Sequence, residues 1–149
     1  MKFFRNKITL ALLGFLLLQV PAQADDDQPI TVKELPVNAQ QLLKKDFANF
    51  KVVYAEMDKD LRSKSYEVKF ANGGSIDFDK KGEWTEIDCG TSAVPAKFIP
   101  QAIRKQVEKK WPNTTIVKIE KDRKRYEIEL SDGLEITFNQ KFKITDIDR

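Results

Sequence analysis

The chain has 149 residues, enough for one compact domain or two small fused halves. It contains no His, which excludes Ser-His and Cys-His catalysis and His-ligated metal sites. Its single cysteine, Cys89, excludes an internal disulfide. The 26 Lys+Arg and 23 Asp+Glu residues give only a small positive excess, too little for a strong nucleic-acid footprint.

The first 24 residues have the pattern of a cleavable secretory signal. Three basic residues precede an apolar run, residues 8–20, and Ala22-Gln23-Ala24 is a small-residue exit pattern. The run is shorter than the roughly 20 residues of a membrane span, so we expect cleavage after Ala24 rather than an uncleaved anchor. We therefore expect a periplasmic or extracellular protein without stable membrane insertion. Residues 25–32, which begin DDDQP, are expected to form a flexible lead-in.

The charge is distributed unevenly along the predicted mature chain. Residues 1–24 hold three of the 26 basic residues and none of the 23 acidic ones, which leaves 23 of each. Residues 25–90 have 10 basic and 14 acidic groups, whereas residues 91–149 have 13 and 9. A charge dipole that steers a partner and a chance imbalance on two solvated surfaces are both compatible with this pattern.

Two segments sixty residues apart carry nearly the same sequence. YEVKFANGGSIDF, residues 66–78, aligns without gaps with YEIELSDGLEITF, residues 126–138. Apolar residues alternate with polar ones, and Asn72-Gly73 or Asp132-Gly133 stands between the two runs, so each copy predicts a β-hairpin with a tight primed turn. Over residues 65–88, nine of 24 residues recur sixty positions later: Tyr66, Glu67, Gly73, Ile76, Phe78, Lys81, Thr85, Ile87 and Asp88. This spacing indicates a duplicated structural unit.

A third strand follows each hairpin, at residues 84–87 and 144–147. Trp84 and Ile87 have opposite parity in the strand, so either a bulge interrupts the pleat or Trp84 faces away from the core. The turn before this strand differs between the copies. Asn139-Gln140-Lys141-Phe142 replaces Asp79-Lys80-Lys81-Gly82, and we expect the second turn to have a different shape.

Helical periodicity precedes each hairpin. VNAQQLLKKDFANF follows Leu35-Pro36, KFIPQAIRKQVEKKW follows Val94-Pro95, and another strand is predicted at residues 51–57 and 115–121. We predict an α+β fold of two tandem repeats, residues 33–90 and 91–149, whose relative orientation stays open. Each repeat is one helix packed on an approximately four-stranded antiparallel sheet.

These motifs carry a family resemblance. The Leu-Pro or Val-Pro before a helix, the YEVKF…NGG…IDFDKKGEW hairpin followed by IDC and VP, and the second copy YEIEL…DGLEITF resemble the β-lactamase-inhibitor-like, PepSY-like family of secreted bacterial proteins. The resemblance covers residues 30–149. It implies helices packed on antiparallel sheet, as in the β-lactamase inhibitor protein, and kinship with modules thought to restrain proteases. It implies no catalytic residues.

Three features of the sequence contain side chains that could support chemistry. The run from Asp77 to Gly82, with Asp88 at the twelfth place, superficially follows a calcium loop, but Lys81 occupies a ligand position and a plain hairpin turn is favoured. Glu67 and Glu127 recur as a carboxylate pair and are best explained as solvated strand positions. Cys89 is interpreted as a small buried hydrophobe, with a reactive thiol or an intermolecular bridge as the alternative. We therefore predict no catalytic, cofactor-binding or metal-binding residues.

Five residues are candidates for partner binding. Trp84, if it faces away from the core, lies on the sheet face that helices leave uncovered, with Tyr54 as a neighbour. Alternatively, Trp84 caps the core at the helix edge. Arg123, Lys124 and Arg125 belong to a basic cluster between two predicted strands, where a charged hairpin end is the commonest meaning.

We predict from these observations a non-enzymatic binding module of the periplasm or the secreted fraction, which inhibits or binds another envelope or secreted protein such as a hydrolase. The alternative is a binder of a small ligand or envelope polymer in the concavity of the sheet. An enzyme with a carboxylate pair ranks last. Oligomeric state and target identity stay open.

Overall fold

The computed structural model describes residues 27–149; the predicted signal, residues 1–24, and residues 25–26 lie outside the described residues. Two α-helices and nine strands form the described chain, and a short 3-10 turn precedes each helix. Neither helix among residues 27–149 is long and apolar enough to cross a bilayer. The elements are β1 (Asp27–Pro29), α1 (Val37–Asp46), β2 (Val52–Asp60), β3 (Ser63–Phe70), β4 (Ser75–Phe78), β5 (Trp84–Asp88), α2 (Gln101–Lys110), β6 (Ile116–Lys121), β7 (Arg125–Leu130), β8 (Glu135–Asn139) and β9 (Ile144–Asp148).

All nine strands belong to one antiparallel sheet, in which each strand pairs with the next one along the chain. The predicted α+β fold with antiparallel sheet is thus confirmed. The prediction of about four strands per sheet is corrected, because β5 pairs with β6 and joins the two halves. In that pairing Ile87 lies opposite Ile119 and Asp88 lies opposite Lys118.

The hydrophobic core lies between the helices and one face of the sheet. Alternate strand residues point to this face, since successive side chains of a strand alternate sides. Both helices contribute to the same core, which includes Ala39 and Leu43 of α1 and Ile103 and Val107 of α2. The sheet contributes fully buried side chains at Val68, Ile76, Phe78, Ile87, Ile119, Ile128, Ile136 and Phe138. The helices therefore cover one sheet face and leave the other uncovered.

The hairpin turns differ in type from the prediction. Gly73 and Gly133 have φ values of 85° and 84°, but Asn72 and Asp132 are not among the described residues with positive φ. The backbone N–H of Gly73 donates to the oxygen of Phe70 at 3.0 Å. This is the pattern of a type I turn followed by a glycine in the left-handed region, and the expectation of a primed turn is wrong.

A bulge in β5 explains the parity of Trp84. Asp77 pairs with Glu86 and Phe78 pairs with Trp84, so Thr85 has no partner of its own. The hydroxyl of Thr85 donates to the carbonyl oxygen of Asp77 at 3.3 Å. Trp84 therefore lies on the same side of the sheet as Phe78, the side that the helices cover. Of the two positions predicted for Trp84, the uncovered face and the edge of the core, the structure shows the edge of the core.

The turn at Phe142 has the same hydrogen bonds as the turn at Gly82. Gly82 N–H donates to Asp79 O, and Phe142 N–H donates to Asn139 O, both at 2.9 Å. Phe142 adopts a φ of 58°, a left-handed conformation in which a bulky side chain is strained. The expectation of a different turn shape is therefore wrong, and the second half accommodates strain at this point.

The predicted flexible lead-in is also corrected. Asp27–Pro29 forms β1, which pairs with β2 through Asp27 and Asp58, Gln28 and Met57, and Pro29 and Glu56. The next residue continues the pairing, since Ile30 N–H donates to Ala55 O at 2.9 Å. Asp27–Pro29 of the lead-in therefore belong to the sheet, and Val32 begins the 3-10 turn that precedes α1.

Candidate functional site

The uncovered sheet face carries a row of carboxylates that a single threonine interrupts. We call it the acidic row and define it by successive cross-strand partners from β2 to β9. Seven of its eight positions are Asp or Glu, and opposed like charges in neighbouring strands repel each other. The row consists of Glu56, Glu67, Asp77, Glu86, Glu120, Glu127, Thr137 and Asp146.

Two lysines on the same face offset part of this charge. Lys118 lies between its cross-strand neighbours Asp88 and Glu129. Its Nζ is 3.0 Å from Oε1 of Glu86 in the acidic row. Lys69 Nζ lies 3.6 Å from an oxygen of Glu67. Beside Lys118, a small pocket is lined by Glu120, Glu127, Glu129 and Glu135, and these acids outnumber the single lysine.

Burial and neighbouring negative charges raise the pKa values of two carboxyl groups in the acidic row. Burial, followed by the charges of Glu86 and Glu67, raises the pKa of Asp77 to about 7. Burial also raises the pKa of Glu120, with further contributions from Glu86 and Glu127. The free energy of these carboxylates would therefore fall if a positive group approached the face.

Lys118 responds in the opposite sense. Burial opposes its charge, but Glu86, Asp88 and Glu120 raise its pKa overall. Lys118 therefore stays protonated and forms a fixed positive point within the acidic surface. A ligand that binds here must complement both the positive charge of Lys118 and the negative charges of the carboxylates around it. This requirement favours an extended ligand with several charged groups over a single ion.

Trp84 lies at the edge of the core and not on the uncovered face. Its ring meets Phe98 edge-on at 5.9 Å between centroids. Lys121 Nζ lies 3.8 Å from the Trp84 ring centroid, a cation–π geometry, and burial lowers the pKa of Lys121. The hypothesis that Trp84 faces away from the core is wrong. Its role in partner binding stays a prediction.

Tyr54 does lie on the uncovered face, opposite Lys69 in β3. Its side chain is 38% exposed, and Lys69 Nζ is 5.9 Å from its ring centroid. Partial desolvation, then Glu56, raises the pKa of Tyr54. Tyr54 therefore borders the acidic row at the β2 end.

Arg123 and Lys124 lie in the turn between β6 and β7, and Arg125 is the first residue of β7. Asp122 organises this turn, since its Oδ1 accepts the backbone N–H groups of Lys124 at 2.6 Å and Arg125 at 3.0 Å. Tyr54 in β2 is five strands away from β7, a lateral distance of about 24 Å. The structure thus does not bring the five predicted residues into one site.

The calcium-like run forms a hairpin turn. Asp79 Oδ1 accepts the backbone N–H groups of Lys81 at 2.8 Å and Glu83 at 3.0 Å, so its oxygen is used within the turn. Among residues 27–149, no group of three or more His, Cys, Asp or Glu side chains has an arrangement that could hold a metal ion. The repeated pair Glu67 and Glu127 belongs to the acidic row, with three strands between them.

Comparison with known proteins gives this fold a family. A family model described as "Putative beta-lactamase-inhibitor-like, PepSY-like" matches residues 64–146, more than half of the chain. A comparison with curated proteins finds no match.

Solved structures from Bacteroides have the same fold. A putative periplasmic protein from Bacteroides vulgatus is 48% identical with a TM-score of 0.80, and the match covers 85% of this chain and 99% of that one. A putative calcium-regulated periplasmic protein from Bacteroides thetaiotaomicron has the same identity, TM-score and coverage. Another Bacteroides vulgatus periplasmic protein, of unknown function, is 42% identical over 83% of this chain and 99% of its own, with a TM-score of 0.77. The chain belongs to the β-lactamase-inhibitor-like, PepSY-like family.

Proposed function

We propose that this protein is a non-catalytic binding module of the bacterial periplasm, and that its acidic row binds a basic segment of another envelope protein. The observation that carries the proposal is the alignment of seven carboxylates along eight strands, with the pKa of Asp77, the third position of the row, raised to about 7. Crowded carboxylates gain most from a partner's Lys or Arg side chains, because each approaching cation lowers the cost of ionisation.

Two further observations support the non-catalytic and periplasmic parts of the proposal. The chain has no His, and its only thiol, Cys89, is buried with a pKa raised by burial to about 11. A thiol of this kind is a poor nucleophile near neutral pH. The secretory signal proposed for residues 1–24 agrees with the periplasmic descriptions of the similar structures.

We also infer that the two halves arose by tandem duplication. Each half has a 3-10 turn, an α-helix and four strands in the same order. The bulges at Thr85 and Thr145 lie at equivalent positions, between Asp77 and Phe78 and between Thr137 and Phe138. The acidic row extends across both units, so the duplication doubles the length of the proposed binding surface.

Capture from an envelope extract tests the proposed function. The protein is compared with the double variant Asp77→Asn/Glu120→Gln, in which the two replaced carboxylates already have raised pKa values and the fold should tolerate neutral side chains. We expect the double variant to retain less of the partner, and salt in the wash to weaken retention by the wild type. Glu108→Gln is the matched control for Glu120→Gln, because Glu108 is an exposed residue of α2.

Retention that does not change between the wild type and the double variant would overturn the proposal. If no protein is retained while the wild type stays folded, the alternative function, binding of a small ligand or an envelope polymer, becomes the better one. If the retained protein is a hydrolase, its activity is measured with and without added wild-type protein. Loss of the hydrolase activity would extend the proposal to inhibition. Adding Ca²⁺ to the wash asks whether the description of the Bacteroides thetaiotaomicron protein as calcium-regulated applies to this surface.

A further inference from the structure

The outer edge of β9 is the second surface that the fold leaves open. We use this name for the side of Ile144–Asp148 that does not pair with β8. Within residues 27–149, β9 is the last strand of the sheet and no strand pairs with its outer edge. An edge strand of this kind presents unpaired N–H and C=O groups that another chain can use.

The equivalent strand in the first half shows what such an edge accepts. β5 and β9 each follow a helix as the fourth strand, with Ile87 opposite Ile76 and Ile147 opposite Ile136. Ile87 is fully buried, whereas Ile147 is 49% exposed. The difference arises because β6 covers β5, and Ile119 of β6 lies opposite Ile87.

The chemistry of β6 defines the expected occupant. Its sequence Lys118-Ile119-Glu120 directs the apolar side chain to the helix side and the lysine to the acidic face. On β9, Ile147 occupies the position of Ile87, and Asp146 and Asp148 flank it as Glu86 and Asp88 flank Ile87. A partner strand with an apolar residue beside a lysine therefore complements β9 in both packing and charge.

The charge on β9 favours a basic partner over a second copy of the chain. A two-fold antiparallel pairing of two β9 strands centred on Ile147 would place Asp146 opposite Asp148 of the other copy. Like charges directly opposite each other are unfavourable. At the other end of the sheet, β1 has only three residues and includes Pro29, which has no N–H to donate.

We propose that the outer edge of β9 binds an extended segment of another protein as a tenth strand, with an apolar side chain opposite Ile147 and a neighbouring lysine directed to the acidic face. This site differs from the acidic row, since the backbone of β9 supplies its hydrogen bonds. The two sites share Asp146, but strand addition at β9 does not require the rest of the acidic row to bind a partner.

A peptide copied from the chain itself provides the probe. The labelled peptide TIVKIEK, residues 115–121, has the sequence that covers β5, and fluorescence anisotropy measures its binding to the purified protein. We expect saturable binding that Ile147→Lys weakens at least about tenfold. Val53→Lys is the matched control, because Val53 is 56% exposed in β2, far from β9, and binding should not change.

Two controls distinguish strand addition from charge attraction. A TIVKIEK peptide with Ile119→Pro has the same charges but lacks one N–H, and it should not bind. Hydrogen exchange at residues 146–148 should slow when the unmodified peptide binds. Equal binding of both peptides, insensitivity to Ile147→Lys, or no saturation up to about 1 mM would overturn the proposal. Concentration-dependent dimerisation that Ile147→Lys abolishes would replace the basic partner with a second copy and would also overturn it.

Discussion

β5 and β9 carry nearly the same sequence, TEID at residues 85–88 and TDID at residues 145–148, but they have different surroundings. Both pair with the preceding strand through a bulge at the threonine. Ile87 is fully buried, and Ile147 is 49% exposed. The same local sequence therefore builds an interior strand in one half and an edge strand in the other. The neighbouring strand, and not the sequence of the strand itself, determines whether the isoleucine belongs to the core.

The largest expected difference between the halves is in the stability contribution of these two isoleucines. Ile87→Ala should lower the free energy of unfolding by about 3 kcal/mol, because it leaves a cavity between the sheet and the helices. Ile147→Ala should lower it by less than about 1 kcal/mol, since water already reaches half of the side chain. Urea unfolding followed by circular dichroism measures both values. Equal losses would contradict the view that β9 is an edge.

The two turns before these strands give the next comparison. A Cβ on Gly82 would lie 2.7 Å from Cβ of Pro36, and the φ of 79° disfavours any side chain. Gly82→Ala should therefore cost about 2–3 kcal/mol of unfolding free energy. Phe142→Gly removes a strained conformation but also the packing of the ring on Tyr126, 5.7 Å between centroids. These effects oppose each other, and we expect a net change within about 1 kcal/mol.

The same urea series measures both turn variants. A loss at Phe142→Gly as large as that at Gly82→Ala would mean that the ring of Phe142 is a principal part of the core. A gain of more than about 1 kcal/mol would mean that strain dominates at this position.

The third comparison uses a difference within the acidic row. Asp77 in the first half corresponds to Thr137 in the second. Because the pKa of Asp77 is raised to about 7, the folded state binds a proton that the unfolded state releases above about pH 4. The contribution of this group to stability is therefore greatest below about pH 4 and falls as the pH rises to about 7.

Asp77→Asn should remove that pH dependence. At pH 8 we expect the variant to be more stable than the wild type, and the difference should become small as the pH falls to about 4. Thr137→Asp, which places a carboxyl between Glu127 and Asp146, should add a dependence of the same sign. Unfolding titrations at several pH values measure these differences, and parallel curves for the wild type and Asp77→Asn would contradict the raised pKa.

The repeated elements could be predicted because their patterns are local. Period-two alternation identifies the hairpins, and helical spacing identifies α1 and α2. The Phe142 turn could not be predicted from the rule that left-handed positions need glycine. Its shape depends on Asn139, whose Oδ1 accepts the backbone N–H groups of Lys141 and Lys143, as Asp79 does in the other half. The Asn or Asp residue at the start of each turn is the sequence feature that indicates their common shape.

The acidic row could be found from the sequence only in part. Alternation of polar and apolar residues predicts that Glu67 and Asp77 lie on the outer face. The register between distant strands cannot be predicted in this way, because it depends on how β5 pairs with β6 across the segment that contains α2. Without that register, Glu67 and Glu127 read as separate solvated positions instead of members of one row. β1 was missed for a similar reason: its polar sequence forms a strand only because the edge of β2 is there to pair with it.

The last comparison concerns Cys89, which corresponds by the sixty-residue spacing to Arg149. The Cys89 side chain is fully buried, and burial raises the pKa of its thiol to about 11. At pH 8 the native thiol should therefore be both protonated and inaccessible, and iodoacetamide should label it only as fast as the protein unfolds. Cys89→Ala should lower the free energy of unfolding by about 1 kcal/mol, since the lost sulfur leaves a small cavity.

Arg149→Cys in the Cys89→Ala background places a thiol where the native side chain is 71% exposed, and this thiol should react at the rate of a small free thiol. If native Cys89 reacts as fast as this control, the end of β5 opens far more readily than the burial of Cys89 implies. The difference between the buried β5 and the exposed edge strand β9 would then not extend to Cys89.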